Sequence, residues 1–145
     1  MSAAPAGLIL AFPESLEPAR RLALAAGWDC QEVLLHDFPD GESLVRLPPA
    51  LPPEVVFYRS LDWPNAKLVE LALAARTARE LGAVRGPASL AVLVTHALFV
   101  EDALERLAAA GVDSVWSTDS IPHQSNRLAL APLLAQALPT PVAAR

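Results

Sequence analysis

Cysteine is nearly missing from this chain: Cys30 stands alone among 145 residues, which excludes an internal disulfide and accords with a reducing, cytoplasmic setting. Lysine is as scarce, with Lys67 the sole example, and the ten arginines are scattered instead of forming a stripe. With a formal net charge of −5, the chain offers no basic surface for a phosphate backbone, so nucleic acid is excluded as the expected partner. No apolar run approaches the roughly 18 residues that a bilayer span requires, so no membrane association is expected. The opening Met1-Ser2-Ala3-Ala4-Pro5 lacks a basic flank, and no signal peptide is expected. No Gly-x-Ser-x-Gly, Walker loop, Gly-x-Gly-x-x-Gly or Cys-x-x-Cys occurs. His36, His96 and His123 lie far apart, and none has a second His or Cys at ligand spacing. No metal site is therefore expected from the spacing, and no catalytic residue is identified.

What is abundant is apolar: 53% of the residues are hydrophobic and the mean hydropathy is +0.34, enough for one genuine core at this length. Gly7–Phe12 reads as a short buried strand. A helix is expected over about 14–26, with Leu16, Ala19, Leu22, Ala23 and Ala26 on one face and Gly27 ending it. Strands are expected at Gln31–His36, Ser43–Leu47 and Val55–Tyr58, the last two as a local antiparallel pair. Pro48-Pro49-Ala50-Leu51-Pro52-Pro53 reads as an extended surface connection.

The longest helix spans about 66–81, with Leu68, Leu71, Ala75, Ala78 and Gly82 at helical spacing and Asp62 or Asn65 as its cap. Ser89–Thr95 reads as a buried strand, 102–110 as a helix ended by Gly111, and Asp113–Ser117 as another strand. A last helix over 127–138 is expected to turn Leu130, Leu133, Leu134 and Ala137 inward. Strands alternating with helices of ten to sixteen residues predict a layered α/β fold, a mostly parallel sheet with flanking helices.

Three segments carry a resemblance. They are His36-Asp37-Phe38-Pro39-Asp40-Gly41-Glu42, then Arg59 to Leu71 (Arg-Ser-Leu-Asp-Trp-Pro-Asn-Ala-Lys-Leu-Val-Glu-Leu), and Val94-Thr95-His96-Ala97-Leu98-Phe99 leading into Ser117-Thr118-Asp119-Ser120-Ile121-Pro122-His123. In this order they resemble the beginning and end of a ribose-phosphate pyrophosphokinase, a phosphoribosyl pyrophosphate synthetase. The resemblance covers residues 1–83 and 88–138 as two blocks, with a join near 83–88. It implies a single phosphoribosyltransferase-like domain over 1–145, a hybrid of the family's two related halves, and so an internally deleted member.

The resemblance also implies cofactors, Mg²⁺ and ATP, and a site. In the family a Phe-x-Asp-Gly-Glu loop supports the adenine of ATP on a neighbouring subunit. Carried over, Phe38 stacks on the base while Asp40 and Glu42 accept hydrogen bonds from it. Asp-Gly is also a common turn pair, so a purely structural hairpin is the alternative reading. The Thr95-His96 pair and the Ser117–Pro122 turn likewise have a structural reading. The family's hydroxyl-bearing allosteric segment reads Leu128-Ala129-Leu130-Ala131 here.

The family's central loops for ATP phosphates, Mg²⁺ and ribose 5-phosphate find no counterpart in this sequence. Where an acidic, glycine-bearing phosphate loop is expected after a strand, Arg59-Ser60-Leu61-Asp62-Trp63-Pro64 stands instead. The expected function is therefore that of a catalytically deficient homologue of an enzyme that transfers the pyrophosphoryl group of ATP to ribose 5-phosphate and releases AMP, acting as a binding or associated subunit. Its partners are expected to be copies of itself or a full-length synthetase. The alternatives are an active synthetase completed by a partner chain, and a deletion product without a function of its own.

Overall fold

The computed structural model describes residues 7–81 and 86–139. Six strands form one sheet in the order β2-β1-β5-β6-β7-β8, every neighbouring pair parallel. They are β1 Leu8–Ala11, β2 Asp29–Glu32, β5 Glu54–Tyr58, β6 Ser89–Val94, β7 Ser114–Thr118 and β8 Asn126–Leu128. A separate antiparallel hairpin pairs β3 Leu34–Asp37 with β4 Ser43–Arg46. The helices are α1 Leu16–Ala26, α2 Pro64–Glu80, α3 Ala103–Ala109 and α4 Leu130–Ala135. This is the α/β architecture expected: a parallel sheet with flanking helices.

Strand alternation sorts the core. Leu8, Leu10 and Phe12 point to one side and join Phe57, Leu90, Val92 and Val94 beneath α2 and α3. Ile9 and Ala11 point to the other side and meet Ala19 and Ala23 of α1. Leu16 and Leu22 pack at the edge of that smaller cluster, whereas Ala26 is exposed. β5 and β6 lie side by side, so strands from before and after residues 83–88 share one sheet and one core. Residues 83–85 of that join, and Gly82, lie outside the described residues.

Several elements differ from expectation. The stretch expected as one strand over Gln31–His36 is two, because Val33, fully buried, ends the pairing with β1 and the chain then leaves for the hairpin. β4 pairs with β3 and not with β5, which is held between β1 and β6. Residues 48–53 form no regular element, as expected, but Leu51 is buried and anchors them. Neither Asp62 nor Asn65 caps α2: the cap position is Trp63, which has no capping hydrogen bond. The last helix is shorter than expected. Residues 126–128 are instead drawn into β8, and α4 buries none of its residues.

Candidate functional site

Open parallel sheets bind ligands at the carboxyl ends of their strands, where the chain order reverses. Here the reversal falls between β1 and β5: the chain moves outward from β1 to β2, then returns to build β5 to β8 on the other side. The loops after β1 and β5 meet at that point, where the backbone N–H of Ser60 donates to Ser15 Oγ at 3.0 Å.

A guanidinium fills the crevice. Arg59 follows β5, is 3% exposed, and sits 3.9 Å over the Phe12 ring. Its Nε donates to Glu14 Oε1 at 2.7 Å, one Nη lies 2.6 Å from Glu70 Oε2, and the other donates to the carbonyl of Lys67 at 3.0 Å. Such a charge is tolerable so far from water because two carboxylates, a carbonyl and an aromatic face surround it. Lys67 extends the network, 3.5 Å from Glu14 and 2.6 Å from Asp62.

The titration of the neighbouring acids follows from this arrangement. Partial burial of Glu14 works to raise its pKa, but the Arg59 hydrogen bond and the charges of Arg59 and Lys67 outweigh it and hold the carboxyl below its ordinary value. Asp62 is also held low, first by its hydrogen bond from Lys67 and then by that from Ser60. All these cations are committed to protein carboxylates. Trp63 adds bulk at the same edge, 85% exposed and in the left-handed region at φ 56°, an outlier for so large a residue.

The adenine-site residues implied by the resemblance lie elsewhere, on the β3–β4 hairpin. Phe38 N–H donates to the Glu42 carbonyl and Gly41 N–H to the Phe38 carbonyl, at 2.8 and 3.0 Å. Gly41 takes φ 90° to make that turn, a conformation open to glycine at little cost. The Asp40 carboxylate accepts from the Glu42 N–H at 3.2 Å, so it closes its own turn. Phe38 is half exposed, packs edge-on against His36 at 4.5 Å, and lines a shallow recess of about 420 Å³ with Leu34, Leu35, Leu44 and Arg46. Asp40 and Glu42 do not line it. The three residues thus share one turn, but Phe38 alone faces the recess, beside His36 and Arg46.

Hydroxyls and an imidazole gather at the carboxyl ends of β5, β6 and β7. His96 Nδ1 lies 2.8 Å from Ser120 Oγ, and the Thr118 hydroxyl donates to the Thr95 carbonyl at 2.5 Å. Tyr58 Oη and Thr95 Oγ1 are 3.5 Å apart. Asp119 accepts from the N–H of Leu130 at 2.9 Å and fastens the start of α4. His123 meets Ser125, which meets the buried Ser117, each at 2.7 Å. These contacts tie three loops together and leave each polar group partnered within the protein. Among the described residues no three of His, Cys, Asp or Glu converge to hold a metal ion.

The network around Arg59 was not visible in the sequence beyond the arginine itself. Its one signal was Glu70, an acid beside Leu71 on the inward side of α2, where only a buried cation accounts for it.

Comparison with known proteins adds similarities in sequence and in fold. Over 77 residues, 52% of the chain, the sequence is 38% identical to a ribose-phosphate pyrophosphokinase of Methanopyrus kandleri, of which the match covers 26%. The fold is similar to the crystal structure of phosphoribosylpyrophosphate synthetase from Mycobacterium smegmatis, with a TM-score of 0.58 at 17% identity. That similarity covers 90% of this chain and 43% of the solved one. No family model matches. The chain thus spans about a quarter of the curated relative and less than half of the solved structure. Over half its length the sequence is similar to part of a ribose-phosphate pyrophosphokinase, and its fold is similar to part of a phosphoribosylpyrophosphate synthetase.

Proposed function

We propose that this chain is a non-catalytic member of the ribose-phosphate pyrophosphokinase family, an internally deleted hybrid of the family's two halves that acts as an associated subunit. The observation that carries this reading is the buried Arg59. The crevice where a parallel sheet ordinarily takes its ligand is filled by a side chain already bound to Glu14, Glu70 and the Lys67 carbonyl. A phosphate there would have to displace two carboxylates from a desolvated cation, and would meet their negative charge. Phosphoryl transfer depends on aligned donors and neutralised phosphates, and Arg59 and Lys67 are both committed elsewhere. Association with copies of itself or with a full-length synthetase is the role left to a folded chain of this kind.

The test is AMP formation from ATP, Mg²⁺ and ribose 5-phosphate by the purified protein, alone and mixed with a full-length synthetase. The expected result is no turnover alone, with co-elution and altered activity in the mixture. Turnover by the chain alone, dependent on ribose 5-phosphate, overturns the reading.

A second reading has its own support. Phe38, half exposed beside His36 and Arg46 at a shallow recess, offers an aromatic face and a cation to an ATP whose other contacts come from a partner chain. Under it, a fluorescent ATP analogue binds the mixture more tightly than either component, and Phe38→Ala abolishes the gain. Equal binding by wild type and variant removes this reading.

A further inference from the structure

The chain carries two apolar surfaces that no other described residue fills, and they match each other. The first is α4. From Leu128 to Pro139 there is no charged residue; Leu130, Leu133 and Leu134 lie at the spacing of one face of the six-residue helix, and Leu138 follows just beyond it. Yet Leu133, Leu134 and Leu138 are 62%, 61% and 71% exposed. The second is a groove of about 510 Å³ between α2 and α3. Its floor and walls include Val69, Ala72, Leu73 and Val100, with Val69 58% exposed.

The groove has the shape of a helix seat. The α2 residues along it, from Asn65 through Val69 and Ala72 to Arg76, fall at three- and four-residue steps, the seam a third helix would follow. Those eleven steps span roughly 16 Å at helical rise, more than enough for the six residues of α4 and the turn that follows. Charge agrees with this occupant. Asp102 and Arg106 within the groove neutralise each other at 3.0 Å, so an uncharged helix strands no charge by covering them. Among the described residues Arg76 has no ion-pair partner. It stands at the C-terminal part of α2, where the partly negative carbonyl end of a helix laid parallel to α2 would face it.

We propose that α4 of one copy occupies the α2–α3 groove of a second copy, and that reciprocal exchange closes a two-fold dimer. This takes up the self-association proposed above and names its two surfaces. It is independent of nucleotide chemistry. The occupant is supplied by the chain itself: among the described residues the leucine-faced, uncharged helix has no seat, and the seat has no helix.

The experiment is sedimentation equilibrium on the intact protein and on two variants, Leu133→Asp on α4 and Val69→Asp in the groove. Both positions are exposed, so neither variant should disturb the core, and circular dichroism with a thermal melt checks this. Wild type is expected to dimerise, and each variant to lose at least about tenfold in dimer affinity, the order expected for one well-buried aliphatic side chain. An equimolar mixture of the two variants is expected to regain association. One copy then supplies an intact helix and the other an intact groove. A wild type that stays monomeric at all concentrations overturns this proposal and the self-association reading together. A dimer insensitive to both substitutions, or a mixture that does not recover, overturns the α4–groove contact and leaves self-association standing.

Discussion

Arg59 decides the local chemistry of the carboxyl edge. Removing it as Arg59→Met would leave Glu14 and the largely buried Glu70 facing each other without a cation, at an expected cost of about 3–5 kcal/mol. Urea unfolding is the measurement, and a loss below about 1 kcal/mol would show that water reaches the network. Its pH dependence follows from Glu14, whose pKa is depressed in the folded state. A depressed acid binds its proton more readily when unfolded, so its contribution is complete above the ordinary value of 4.5 and fades as pH falls through the lower, folded value. Unfolding free energy should therefore decline in acid below about pH 4.5, and Glu14→Gln should flatten that decline. Equal slopes for both proteins would exclude Glu14 as a source. None of this could be read from Arg59 alone, because Phe12 and Glu14 reach it from the segment after β1 and Glu70 from α2.

Elements were legible in the sequence wherever packing agreed with periodicity. β1, and β5 and β6 after their first residues, are continuous apolar runs, as strands buried on both faces must be. α2 buries Leu68, Leu71, Ala75 and Ala78, and α1 buries Ala19 and Ala23 of the five its spacing singled out. The misread elements are those whose partners lie far along the chain. Residues 31–36 read as one strand, but Val33 is claimed by the core and the halves go to different sheets. Residues 126–128 have a helical pattern, yet β7 offers them an open edge. One close contact between elements is testable at Gly111. There φ is 99° and an added Cβ would lie 2.5 Å from Arg79 Cγ. Arg79 ties α2 to the Gly111 and Pro87 carbonyls and to Asp113. Gly111→Ala is expected to cost about 2 kcal/mol through left-handed strain and displacement of that arginine, measured by thermal unfolding. An unchanged melting temperature would show that Arg79 moves aside freely.

At the scale of the whole molecule, protection should follow the core and stop at α4. Amide exchange is expected to be slowest in β1, β5 and β6, the buried strands with neighbours on both sides. The α4 amides should exchange fast in dilute protein and slow as concentration rises into the associating range; fast exchange at every concentration would argue that nothing covers the helix. The sequence by itself determined the α/β class, the extent of α1 and α2, and the family likeness. These are local or collinear properties, written in periodicity, turn residues and motif order. Tertiary structure alone decided that the crevice at the β1–β5 reversal is filled by Arg59, that Phe38 parts from Asp40 and Glu42 at the recess, and that the leucines of α4 face outward. Each depends on which distant residues arrive at the same place, and helical or strand spacing carries no record of that.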